Sequence, residues 1–104
     1  MSQEAQFGIG QLINHQLFGY RGVIIDIDPI FSLSEEWYQQ MAKSRPPKDL
    51  PWYHVLVHDG NYQTYVAQQN LEQDGSNDPI HHPDVDLYFD GFNDGQYHLR
   101  RKSN

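Results

Sequence analysis

A chain of 104 residues with 38% hydrophobic content has room for one domain with one core, which excludes a second folded lobe. It has no cysteine, which rules out disulfides and thiolate metal sites, and its aromatic fraction of 13% excludes a disordered chain and favours a small β domain. Seven basic and fourteen acidic residues give a formal charge of -7, which opposes approach to a phosphate backbone unless the cations gather on one face.

The first residues, Met1 to Gln6, are polar and lack the pattern of a signal peptide, and no later run reaches membrane-spanning length. The expectation is a cytoplasmic protein with no membrane partner. Gln11 to His15 reads as a first short strand after the glycines of Phe7-Gly8-Ile9-Gly10. Gly19-Tyr20-Arg21-Gly22 marks a turn. The strand Val23 to Asp28 follows, and strict alternation puts Val23, Ile25 and Ile27 on one face, with Ile24, Asp26 and Asp28 on the other. Pro29 ends its pairing.

Ser32 with Glu35, or Ser34 with the two acids behind it, predicts the start of a short helix running to about Ala42. The prolines of Ser44-Arg45-Pro46-Pro47-Lys48-Asp49-Leu50-Pro51 then require an extended, exposed linker. Trp52 to His58, the turn Asp59-Gly60-Asn61 and Tyr62 to Ala67 form a hairpin. Tyr53, Val55 and Val57 share one face of it, opposite His54, Leu56 and His58. A polar stretch from Gln73 to Asp78 closes the core unit. Beyond it, Pro83 to Phe89 suggests one or two helical turns, and Gln96 to Arg100 an edge strand. These short strands, broken by one long insertion, predict a mostly β protein built on a small, partly open barrel. Residues 1–72 form the barrel, with the insertion at 31–51, and residues 73–104 an acidic extension ending in a basic cluster.

No residue pattern favours catalysis or a bound metal, so no cofactor is expected. His54 and His58 have a zinc-binding spacing only on a helix; on a strand they lie roughly 13 Å apart. His81-His82-Pro83-Asp84 reads as an exposed loop. Asp26 and Asp28, about 6.6 Å apart on one strand face, have a glycosidase-like separation but no groove, and turn formation before Pro29 is the simpler account. The glycine pairs lack the lysine and helix of a phosphate loop.

Binding residues are better supplied. Lys43, Arg45 and Lys48 share the insertion, and Arg21 sits in a turn that could neighbour it, so these four are the candidate phosphate contacts. Trp37, Tyr38, Trp52 and His54 flank the same insertion as a candidate protein-contact surface. Packing of the insertion onto the barrel explains the aromatic residues equally well.

Phe7-Gly8-Ile9-Gly10-Gln11, His15, Gly19 to Pro29, Pro51 to Val57 and Tyr65 to Leu71, in that order and spacing, resemble the HspQ family, also called YccV-like or hemimethylated-DNA-binding. The resemblance covers residues 7–71. It implies an SH3-like barrel, self-association as a trimer, and a heat-shock protein that promotes degradation of denatured proteins through the Lon protease. It also implies binding to hemimethylated origin DNA and negative control of the replication initiator DnaA. It transfers no catalytic residue. With the charge of -7, a protein partner is the expected one and hemimethylated DNA the alternative.

Overall fold

The computed structural model describes residues 4–101. Five strands, β1 (Leu12–His15), β2 (Arg21–Asp28), β3 (Trp52–Val57), β4 (Gln63–Ala67) and β5 (Leu71–Gln73), form one antiparallel sheet in the order β4-β3-β2-β1-β5. The protein is mostly β, and the sheet does not close into a full barrel. Its two edge strands, β4 and β5, are consecutive in the chain and joined by a single 3-10 turn at Gln68–Asn70. The hairpin expected around Asp59-Gly60 is present, with Asp59 at φ 62° and the Gly60 N–H bonded to the Val57 carbonyl at 3.2 Å.

One register feature departs from strict alternation. Ile24 lies opposite Val55 and Asp26 opposite His54, so Ile25 is an extra residue, a β-bulge in β2. The bulge reverses the faces of everything after it. Val23 and Ile25 pack with Leu12 and Leu56, whereas Ile27 joins Ile24, Tyr53 and Val55 on the other side. The expected grouping of Val23, Ile25 and Ile27 is therefore corrected at Ile27. Asp26 and Asp28 are carried to the face of Trp52 and His54.

The helix α1 (Glu35–Met41) begins at Ser34, whose side chain accepts the Trp37 N–H at 3.1 Å. It closes over one end of the sheet, where Tyr38, Ala42, Trp52 and Ala67 are buried together beneath Phe31, Trp37 and Tyr65. Burying one such large apolar side chain stabilises the fold by about 1.5–3 kcal/mol.

Downstream of β5, the helix α2 (Val85–Tyr88) is followed by a hairpin of β6 (Phe89–Asn93) and β7 (Gln96–Leu99). Phe89, expected in the helix, opens β6 instead. Ile80, Phe89 and Tyr97 are buried against Leu12, Val23, Ile25 and Leu56. The contact is close at Gly10, at φ 88°, where an added Cβ would stand 2.2 Å from the Tyr97 carbonyl oxygen. No helix among the described residues is long and apolar enough to cross a membrane.

Candidate functional site

A groove of about 790 Å³ runs along β4. Gln63, Thr64, Tyr65, Val66 and Ala67 all line it, so it follows the strand's free edge rather than either sheet face. The insertion forms one wall. Trp37 and Met41 of α1, with Leu33 before it, stand over the floor made by Trp52. The opposite wall is the β1–β2 turn, where Leu17 and Phe18 are 62% and 78% exposed. Single exposed apolar residues are ordinary, but a contiguous apolar surface marks an interaction site. Among the described residues, no Asp or Glu lines the groove, although the chain has fourteen.

Specific bonds hold the second wall in place. His15 Nδ1 accepts the N–H groups of Leu17 and Phe18, both at 3.1 Å, so its neutral ring carries its proton on Nε2. Burial holds its pKa below the ordinary 6.5. Its ring also stacks on Phe18 at 4.6 Å. Tyr20 hydroxyl and Thr64 Oγ1 share a 2.8 Å hydrogen bond, which ties the turn to β4.

Of the four candidate protein-contact residues, Trp37, Trp52 and His54 line this groove and Tyr38 does not. Trp52 is buried and its indole N–H donates to the Pro47 carbonyl at 3.0 Å. Tyr38 is also buried, and its hydroxyl donates to the Pro46 carbonyl at 2.6 Å. These two support the insertion, while Trp37 is partly exposed and packs edge-on against Tyr65 at 5.4 Å. His54 lies over Tyr65 at 4.6 Å, and its Nε2 is 3.0 Å from Asp28 Oδ2, which also accepts the Tyr65 hydroxyl at 2.7 Å. Burial, then the bond to the Asp28 carboxylate, raises the Tyr65 pKa.

The four candidate phosphate contacts do not form a common patch of free charge. Arg21 Nε is 2.7 Å from Asp74 Oδ2 in a pair whose side chains are 22% and 12% exposed. Arg45, at φ 52°, turns back and donates from Nη1 to the carbonyls of Tyr38, Gln39 and Ala42, closing the C-terminal end of α1. Lys48 pairs with Glu35 and sits 4.3 Å from the centre of the Tyr38 ring. Lys43 alone of the four has no ion pair or side-chain hydrogen bond among the described residues, and it lines the groove.

Among the described residues, two groups of side chains each bring three possible metal-ligand atoms within 4.8 Å of one another: Asp26, Asp28 and His54, and His58, Asp59 and His81. Hydrogen bonding accounts for the placement of both. Asp26 accepts the Ile27 N–H, and Asp28 takes up His54 and Tyr65. His58 Nδ1 accepts the His81 N–H at 2.9 Å, which puts its own proton on Nε2, facing Asp59 at 3.3 Å.

The sequence pointed to the aromatic residues of the insertion but not to Leu17, Phe18, Leu33 and Met41, which also line the groove. The available signal was Leu17-Phe18 itself, two large apolar residues in a turn between strands, where polar residues are usual. The YccV-like family model, described as hemimethylated DNA-binding protein YccV like, matches residues 5–96. That span runs from the approach to β1 into β7 and includes both walls of the groove. The chain belongs to the YccV-like family of hemimethylated-DNA-binding proteins.

Proposed function

We propose that the chain is a non-enzymatic accessory protein that binds denatured polypeptide and promotes its degradation by a Lon-type protease, with the replication initiator DnaA among the targets. The observation that carries this reading is the groove along β4, with apolar side chains on both walls and, among the described residues, no carboxylate in its lining, in a chain of charge -7. Such a surface suits the uncharged apolar segments that unfolding exposes, and it repels nothing they carry. The test is degradation of a denatured substrate by purified Lon with and without the chain. Acceleration by the chain, lost in Phe18→Ser, is the expected result. An unchanged rate would sink the proposal.

The family match supports a second reading, binding of hemimethylated duplex DNA. On that reading, affinity falls as salt rises and hemimethylated duplex is preferred over fully methylated duplex. Arg21, Arg45 and Lys48 are engaged within the fold, so Lys43 is the informative position. Lys43→Glu would weaken duplex binding and flatten its salt dependence if DNA lies along the insertion. Equal binding by parent and variant would remove the insertion from the DNA contact.

A further inference from the structure

We propose that the groove binds its polypeptide by strand addition: an extended, uncharged apolar segment of an unfolded protein pairs through its backbone with the open edge of β4. This inference rests on the protein-binding reading above and specifies its mode.

The β3–β4 ladder shows which backbone groups are free. Val57 donates to the Tyr62 carbonyl at 3.3 Å and Gln68 donates to the Pro51 carbonyl at 3.0 Å. With the observed register, bonded pairs therefore fall at Thr64 with Val55 and at Val66 with Tyr53. The intervening residues, Gln63, Tyr65 and Ala67, direct their N–H groups away from β3 and into the groove. Among the described residues, no turn, loop or side-chain bond takes up the backbone of Gln63 or Tyr65. An unpaired strand edge is a ready template for another extended chain.

The walls stand where the side chains of an added strand would go. Successive residues of such a strand point alternately to the two faces of the sheet. One set would meet Trp37 and Met41, and the other would meet Leu17 and Phe18. Apolar walls on both sides ask for a segment that is apolar on both faces, which is the character of a core strand from an unfolded protein. Among the described residues no carboxylate lines the groove, which removes the attraction a basic segment would need, and Lys43 stands at the insertion end.

The probe is a fluorescein-labelled nonapeptide of alternating valine and alanine, apolar on both faces, titrated with the full chain and followed by anisotropy. Strand addition predicts saturable binding and slowed hydrogen exchange at the Gln63 and Tyr65 amides in the complex. N-methylation of one alternate set of peptide amides weakens binding by roughly tenfold, because two or more backbone bonds are lost, while methylation of the other set does not. Gln63→Pro, which removes an outward N–H at the exposed start of an edge strand, produces a loss of similar size. Should that variant fail to fold, Phe18→Ser, at a largely exposed position, weakens binding without touching the ladder.

Equal binding of both N-methylated peptides would overturn strand addition. So would protection of Gln63 and Tyr65 that grows with protein concentration in the absence of peptide, which would assign the edge to a second copy of the chain. Peptide binding as predicted, with no effect on Lon-catalysed degradation, would instead remove the proposed function and leave strand addition standing. Accelerated degradation that the unmethylated peptide fails to compete would do the reverse.

Discussion

The two edges of the central sheet are treated in opposite ways. At one, β5 is three residues long, carries Glu72 and is followed by Asp74, whose N–H bonds to the Leu12 carbonyl and whose carboxylate is fixed by Arg21. Shortness and charge are ordinary means of blocking edge-to-edge pairing. At the other, β4 is five residues long, no carboxylate among the described residues lines its groove, and apolar side chains frame it on both sides. One sheet thus has a closed edge and an open edge, and exposure at the second is a property of that site rather than a general looseness of the fold.

The strongest way to break the contrast is to collapse the floor of the open edge. Trp52 is 1% exposed and central to the aromatic cluster under α1. Trp52→Ala is expected to cost about 3–5 kcal/mol, measured by denaturant unfolding, and to release the α1 wall. A much smaller loss would mean that the insertion is held independently of the sheet.

The closed edge is tested at Asp74. Asp74→Ala leaves a largely buried guanidinium without its carboxylate and is expected to cost about 1.5–3 kcal/mol. Burial alone would raise the Asp74 pKa, but bonds from Arg21 and Ser76 hold it below the ordinary 3.8. The folded carboxyl therefore releases its proton more readily than the unfolded one. Its contribution is full above the unfolded value and is lost as pH falls through the folded one. The stability gap between parent and variant should narrow in acid, and a gap independent of pH would count against the ion pair.

What the sequence made legible depended on how local the cause was. The β3–β4 hairpin rests on Asp59-Gly60 and a run of β-formers, and the helix start on Ser34 with Glu35 and Glu36, so each could be read from a few neighbouring residues. The bulge at Ile25 could not, because it is defined only by two residues of β2 facing one step of β3. The burial of Ile80, Phe89 and Tyr97 is likewise a matter of long-range packing. The cations misled for the same reason. Arg45 lies in a proline-rich stretch that reads as exposed linker, yet its positive φ folds it back onto the carbonyls of α1. The groove combines a turn, a helix and a strand edge that are separated in sequence, and only its insertion wall was visible in advance.

The insertion wall offers a smaller test. Ser34→Ala removes the bond to the Trp37 N–H and is expected to cost about 1 kcal/mol. The effect should appear as faster hydrogen exchange in α1 with little change in the sheet. Equal destabilisation of both would show that helix and sheet open as one unit.

The smallest expected effect concerns the other wall and is set by pH. Neutral His15 accepts the N–H groups of Leu17 and Phe18 at Nδ1, and a proton on that atom would oppose both donors. Because burial lowers its folded pKa below 6.5, the unfolded chain takes up the proton first as pH falls. The stabilisation from His15 is complete above 6.5 and diminishes as pH drops from there through the folded value. Between about pH 8 and about pH 5, the parent should lose more thermal stability than His15→Asn, whose side-chain oxygen can still accept but does not titrate. Exchange at the Leu17 and Phe18 amides should quicken over the same interval, while exchange in β5 stays unchanged. If β5 loosens in step with that turn, the two edges are coupled through β1, and the contrast between them belongs to the sheet as a whole rather than to the wall that His15 holds.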